Sequence, residues 1–174
     1  MADFNLYFPQ EQNLEGTVFE CDPNDSGGAT KVGLTVDDLH EYGLDCNKDN
    51  HIDAEDVKLM TIPQAGLVLK KIYWDYFQAD SINNQKLAEF IVDSGLNQGR
   101  VLITKYLQTI LGIEVDGQIG KQTISSINNS NPVHTYLSLC SLRLKRYSDI
   151  VIARPSQRRY FKGWVNRLNA IKVV

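Results

Sequence analysis

Cysteine and long apolar runs are both scarce in this sequence. The three cysteines, Cys21, Cys46 and Cys140, are odd in number and far apart, a pattern that argues against a disulfide framework and a zinc site. We therefore expect free thiols. No apolar run approaches the length needed to cross a membrane, and no basic segment followed by an apolar stretch stands at the N-terminus. We expect no membrane insertion and no signal peptide.

An excess of positive charge is also lacking. The 174 residues carry a formal net charge of −3, which gives no indication of nucleic-acid binding. An acidic chain gains little from long-range attraction to an anionic cell wall, so contacts with such a wall would have to be local. Apolar residues make up 43% and charged residues 22% of the chain, as in ordinary globular proteins, and the length is most simply that of one domain.

The most informative segment runs from residue 14 to residue 34. Its glutamate ends an apolar stretch, and the residues that follow are rich in turn formers. Hydrolysis of a glycosidic bond needs a protonated acid for the leaving oxygen and a second group that holds water or stabilises positive charge. The side chains able to supply these groups are Glu15, Asp22, Asp25 and Thr30. Taken one at a time, the acids are better interpreted as a helix-end charge and as turn formers.

The order and spacing of these residues resemble the signature of glycoside hydrolase family 108, the bacterial and phage N-acetylmuramidases. The matching runs are 15–16, 22–25 and 27–30, and the departures are Thr17, Val18, Ser26 and Val32. The resemblance implies hydrolysis of the β-1,4 bond between N-acetylmuramic acid and N-acetylglucosamine, with Glu15 as general acid. Asp25 or Asp22 would polarise water or support the cationic transition state, and Thr30 would hold that water. Glu15 would then need a raised pKa in a water-poor setting.

The same resemblance implies a fold and a division of the chain. We expect a mainly α, lysozyme-like helical domain with a small irregular or β-hairpin region after the first helix. Residues 1–97 would form the catalytic part, with an insert at 45–56, and residues 98–174 a C-terminal helical part similar to peptidoglycan-binding modules. The turn at 116–123 resembles those modules, although a tight helix connection that needs two glycines also explains it.

The insert at 45–56 has the ligand spacing of a calcium loop. Calcium prefers roughly six to eight oxygen ligands from a short, sharply turned loop. The predicted ligands are Asp45, Asn47, Asp49, the backbone carbonyl of His51, and Asp56. The loop resembles those of EF-hands and, more closely, of dockerins, with Asn50 where EF-hands have glycine. We predict a structural Ca²⁺ ion; the alternative is an acidic loop that caps the next helix.

Three residues in predicted helices are candidates for substrate contacts. Trp74, in a helix predicted over 62–78, would stack on a sugar, although core packing is the commoner role at helical spacing. Asp93 and Asn97 lie one turn apart near the end of a helix predicted over 83–97 and would hold substrate amides. Asn97 is equally open to interpretation as a cap of the helix end.

The last predicted helix belongs to a basic end of the chain. Its cations and those beside it are Arg154, Arg158, Arg159, Lys162, Arg167 and Lys172. A solvated helix face is the default interpretation, and attraction to carboxylates of the cell wall is the alternative.

The expected partner is peptidoglycan. The protein would be made in the cytoplasm and act on the wall after export, with a holin or another secretion system supplying the route. Two other functions stay open at this point. A lytic transglycosylase also works with a single glutamate, and a wall-binding or secretion-related protein would have no activity.

Overall fold

A computed structural model of the protein describes residues 1–16, 18–21 and 28–173, with Glu15 described by its backbone alone. The described part is mainly helical. Its α-helices are α1 Phe4–Glu15, α2 Val36–Tyr42, α3 Ala54–Leu59, α4 Ile62–Leu69, α5 Gln85–Gln98, α6 Arg100–Leu111, α7 Lys121–Asn129, α8 Pro132–Ala153 and α9 Arg158–Leu168. Its strands are β1 Glu20–Cys21, β2 Ala29–Lys31 and β3 Leu34–Thr35.

Tertiary contacts divide the chain into two compact units. The first is Asp3–Tyr76, and the second is Phe77–Val174 together with Met1–Ala2.

The first unit begins with α1, which starts earlier than its sequence suggests. Pro9 lies inside this helix, and a proline there, which lacks a backbone N–H, favours a late start or a kink. The helix nevertheless begins at Phe4, because the Asp3 carboxylate caps the first turn and accepts a hydrogen bond from the Asn5 N–H at 2.8 Å. The expected late start is therefore not observed.

A small antiparallel sheet follows α1, with strand order β1-β2-β3. Thr30, in the central strand, is paired with Glu20 on one side and Thr35 on the other. Thr35 then caps α2 in a capping box with Asp38, and Gly43 ends that helix in the left-handed conformation at φ 81°. The irregular or β-hairpin region expected after the first helix is thus a small three-stranded sheet.

The core of the first unit is aromatic. Trp74 has no exposed surface, and its ring stacks on Tyr7 at 5.5 Å and meets the edge of Phe4 at 5.5 Å. Gly66 in α4 lies so close to Phe8 that a Cβ atom would come within 2.9 Å of the ring. These contacts fix α1 against the segment that follows α4.

The second unit is built from α5 to α9. The apolar side of α5, including Phe90 and Ile91, is buried. Gly95 faces the ring of Phe77, where an added Cβ atom would approach to 2.3 Å, so only a residue without a side chain fits at this position. Asn131 caps α8, and Pro132 occupies its first turn.

The turn at 116–123 connects α6 to α7 and is closed by one side chain. Gln108 donates a hydrogen bond to the Asp116 carboxylate at 2.6 Å and accepts one from the Gly117 N–H at 2.9 Å. Gly117 has a φ of 77°, a conformation that favours glycine. The residues of this turn thus have a structural explanation as a tight helix connection.

Two expectations from composition can be compared with the described residues. Cys21, Cys46 and Cys140 are all free thiols, as expected. Within the described ranges, no helix is both long and apolar enough to cross a membrane.

Candidate active site

Glu15 is the last residue of α1. Gly16 follows as the helix cap, with a φ of 77° and an N–H that donates to the Gln12 carbonyl at 3.0 Å. The backbone therefore leaves the helix directly after Glu15. The side chain of Glu15, together with Asp22 and Asp25, lies outside the described residues, and the roles of these three acids stay predictions.

Thr30 is the one catalytic candidate whose side chain is described. It lies in the central strand of the sheet and is half-buried. Its hydroxyl makes no hydrogen bond to any residue in the part of the chain that the structure describes. A hydroxyl in this state can both donate to and accept from a water molecule.

A further carboxylate of α1 was not singled out in the sequence. Glu11 has no exposed surface and accepts a hydrogen bond from the Tyr7 hydroxyl at 3.0 Å. Part of the signal lies in the sequence, because Tyr7 and Glu11 are four residues apart in α1 and so lie on one face of that helix. A buried glutamate thus precedes the predicted proton donor by one helical turn.

The loop at 45–56 winds around the carboxylate of Asp56. Asp56 is fully buried, and one oxygen accepts hydrogen bonds from the N–H groups of Cys46 at 2.7 Å and Asn47 at 3.2 Å. The other oxygen accepts from the N–H of Asp53 at 2.9 Å. Burial alone would raise the pKa of Asp56, but these backbone donors together hold it below its ordinary value.

The loop at 45–56 has features of a calcium loop and features of an acidic loop that caps the next helix. Asn50 has a left-handed φ of 68°, the conformation expected at its position in a calcium loop. Asp45 accepts hydrogen bonds from the backbone N–H groups of Lys48 and Asn50 at 2.6 and 2.9 Å. Asp53 caps α3 in a capping box with Asp56, as the alternative interpretation requires. Among the described residues, no three His, Cys, Asp or Glu side chains are grouped so that they could hold a metal ion, and calcium binding stays a prediction.

Two of the candidate substrate-binding residues are part of the interior instead. Trp74 packs in the aromatic core and is fully buried, so the sugar-stacking interpretation is wrong. Asp93 is also fully buried, and its two oxygens accept from Arg143 Nη1 at 2.7 Å and Arg167 Nε at 2.8 Å. A buried carboxylate needs such partners, and both oxygens are used by them, so the assignment of Asp93 to substrate amides is also wrong.

Asn97, the third of these candidates, is half-buried near the end of α5. Its Nδ2 donates to the backbone carbonyl of Asp93 at 2.8 Å, one turn earlier in the same helix. This bond supports the helix-end interpretation, and a role for Asn97 in substrate binding stays a prediction.

Comparison with known proteins gives two family matches. The glycosyl hydrolase 108 family model matches residues 12–99, a range that includes Glu15, Thr30 and the loop at 45–56. The chain belongs to the glycosyl hydrolase 108 family. A second family, described as a predicted peptidoglycan domain, matches residues 103–169. A glycosyl hydrolase part followed by such a domain supports a peptidoglycan hydrolase.

One solved structure supports the fold of this family member. The chain is similar to the structure of Brucella abortus SagA, with a TM-score of 0.80 and 24% sequence identity, over 97% of this chain and 90% of that one. The predicted fold class is confirmed. No curated protein matches the chain.

The family matches and the compact units divide the chain at different places. The two matched ranges meet between residues 99 and 103, close to the division expected after residue 97. The compact units divide between Tyr76 and Phe77, so α5 packs with the C-terminal helices although the glycosyl hydrolase match includes it.

Proposed function

We propose that this family member is an N-acetylmuramidase, which hydrolyses the β-1,4 bond between N-acetylmuramic acid and N-acetylglucosamine with Glu15 as general acid. The observation that carries the proposal is the match to the glycosyl hydrolase 108 family over residues 12–99, within which Glu15 ends α1. We also propose that a holin or another secretion system supplies the route to the wall.

The proposed reaction begins with proton transfer from Glu15 to the glycosidic oxygen. The bond between C1 of N-acetylmuramic acid and that oxygen then breaks, and positive charge develops on the sugar ring. Asp25 or Asp22 supports this charge or orients the attacking water, and the Thr30 hydroxyl helps to hold that water. Addition of water to C1 leaves N-acetylmuramic acid at a reducing end and returns the proton to the enzyme.

Thr30 suits its proposed role because of its position. The central strand holds its backbone on both sides, and its hydroxyl is half-buried without a hydrogen-bond partner among the described residues. A rigid backbone and an unused hydroxyl place a water molecule more reproducibly than a flexible loop does.

The test is clearing of purified cell walls by the Glu15→Gln variant. Glutamine keeps the size of the side chain but has no acidic proton, so the rate of clearing should fall by about 10²-fold or more. Glu114→Gln serves as the matched control, because Glu114 is exposed and lies between α6 and α7. Both variants should keep the wild-type circular dichroism spectrum. Full clearing by folded Glu15→Gln protein would refute the assignment of Glu15.

The same assay tests the alternative function, that of a wall-binding protein without enzymatic activity. If wild-type protein binds cell walls but never clears them, the chain is a wall-binding protein and the hydrolase proposal fails.

We also propose that the loop at 45–56 binds Ca²⁺ through Asp45, Asn47, Asp49, the His51 carbonyl and Asp56. The ligand spacing and the left-handed Asn50 support this proposal. The bound ion would supply positive charge among the loop carboxylates and stiffen the loop, with no part in bond cleavage.

The calcium proposal is tested by thermal unfolding in calcium and in chelator. At calcium about 100-fold above Kd, binding should stabilise the fold by about 2.7 kcal/mol and raise Tm by roughly 5–10 °C. The shift should disappear in Asp45→Asn and persist in Glu55→Gln, because Glu55 lies in the same loop but is not a predicted ligand. Equal melting curves for wild-type protein in calcium and chelator would rule out the site.

A further inference from the structure

The charges of this chain are unevenly distributed along it. Residues 150–174 contain six of the eighteen Lys and Arg residues and no Asp or Glu. The first 149 residues contain the other twelve cations and all twenty-one acids. Most of the chain is therefore acidic, and its C-terminal segment has the opposite sign.

Four of these six cations are exposed and have no charge partner among the described residues: Lys172 near the C-terminus, and three that lie in α9 or just before it. Arg154, Arg158 and Lys162 make no ion pair and no hydrogen bond through their side chains to any described residue. Arg158 and Lys162 are four residues apart in α9 and therefore lie on one face of that helix. Arg167, in contrast, points to Asp93 and is mostly buried. The exposed cations are thus not used to stabilise the fold by ion pairing.

An aromatic row holds α9 in place beneath these cations. Trp164 stacks on Tyr147 of α8 at 5.0 Å, and Tyr160 stacks on Trp164 at 6.1 Å. Arg159 lies over the Tyr160 ring at 4.6 Å and donates a hydrogen bond to its hydroxyl at 2.6 Å. Because Tyr147 is buried, this row anchors the helix to the interior of the unit. We call Arg154, Arg158, Arg159 and Lys162 the basic surface.

We propose that the basic surface docks onto the free carboxylates of peptidoglycan stem peptides, away from the bond that is cleaved. This inference rests on the proposed function for its substrate. The matched predicted peptidoglycan domain, residues 103–169, contains the whole basic surface. At physiological ionic strength charges act over about 8 Å, so a local group of cations can hold an anionic polymer although the chain as a whole is acidic.

Docking of this kind has a defined effect on the enzyme. The surface increases the time that the enzyme spends on insoluble walls, and it contributes nothing to bond cleavage. Loss of the surface should therefore raise KM for intact walls and leave kcat on short soluble glycan fragments unchanged.

The experiment measures binding of the full chain to purified cell walls by co-sedimentation at 4 °C, in the Glu15→Gln background. The test variant carries Arg154→Gln, Arg158→Gln and Lys162→Gln. The matched control carries Lys71→Gln, Lys105→Gln and Lys121→Gln, which remove the same number of exposed positive charges elsewhere. At 0.15 M salt the test variant should bind about tenfold more weakly than the Glu15→Gln parent, and the control should bind within about twofold of it.

Two further arms identify the ligand. Walls whose carboxylates have been converted to amides should bind the parent as weakly as unmodified walls bind the test variant. Vesicles of phosphatidylglycerol should bind neither protein appreciably. Equal weakening in the test and control variants, full binding to amidated walls, or preferential binding to the vesicles would each overturn the proposal. Clearing by Glu15→Gln would instead refute the catalytic assignment alone, because the binding assay does not depend on activity.

Discussion

Two aspartates, Asp56 in the first unit and Asp93 in the second, are fully buried, and their charges are balanced in different ways. Asp56 accepts hydrogen bonds from three backbone N–H groups, all from residues within ten positions of it in the chain. Asp93 is balanced by two arginines, Arg143 and Arg167, which lie 50 and 74 positions further along the chain. One carboxylate thus orders a loop, and the other connects three helices.

The difference shows where each carboxylate acts. Backbone donors are partial charges, and their loss affects the loop that supplies them. Arg143 has no exposed surface, so water does not solvate its full positive charge, and the Asp93 carboxylate balances that charge instead. Burial alone would lower the pKa of Arg143, but Asp93, together with Tyr147, raises it above its ordinary value. The Asp93 cluster therefore contributes to the stability of α5, α8 and α9 together.

The largest effect should come from Asp93→Asn. This change leaves Arg143 buried without a full negative partner, and we expect a loss of about 3–5 kcal/mol in the free energy of unfolding. Urea unfolding followed by circular dichroism measures it. Asp149→Asn is the control, because Asp149 pairs with Lys145 on the surface and its loss should cost about 0.5 kcal/mol or less. Equal effects of the two variants would contradict this account of the cluster.

Asp56→Asn should have a smaller effect, of about 1–3 kcal/mol. Asparagine keeps one acceptor oxygen but places an NH₂ group against backbone donors that the second oxygen satisfies. The neighbouring variant Glu55→Gln provides the comparison, because the Glu55 side chain is exposed. If both variants unfold at the wild-type urea concentration, the buried carboxylate does not organise the loop.

The smallest effect is the pH dependence of the Asp56 contribution. The folded-state pKa of Asp56 is lowered, so its contribution to stability is present above the unfolded pKa of about 3.9 and is lost as pH falls through the lower folded value. The difference in unfolding free energy between wild-type protein and Asp56→Asn should thus be constant from about pH 5 to 7 and shrink below about pH 4. A difference that grows on acidification would reverse the sign of the assigned shift.

Local features of the fold were predictable from the sequence. Thr35 and Asn131 are of residue types that favour helix starts, and each caps the helix that follows it, because a cap needs only residues within one turn. The positive φ of Asn50 and the close packing at Gly95 follow from residue type in the same way. The family signature around Glu15 is also readable from the sequence, because it consists of residue types in a fixed order along the chain.

Features that depend on distant residues were not predictable. Asp93 and Asn97 are four residues apart in a helix, a spacing that also suits two residues that face a substrate. Nothing near them in the sequence indicates that Arg143 and Arg167 are the partners of Asp93. The sequence left two roles open for Trp74, sugar stacking and core packing. Only its contact with Tyr7, which is distant in the sequence, identifies it as a core residue. The burial of Glu11 likewise depends on tertiary packing that the periodicity of α1 does not specify.

The central claim concerns the bond that is cleaved and how it is cleaved. The most direct measurement is mass spectrometry of the fragments that the wild-type protein releases from purified peptidoglycan, before and after borohydride reduction. The account predicts fragments that end in reducible N-acetylmuramic acid. Fragments that end in anhydro-N-acetylmuramic acid would identify a lytic transglycosylase, and fragments that end in reducible N-acetylglucosamine would place the cleavage at the other glycosidic bond; either result would contradict the account.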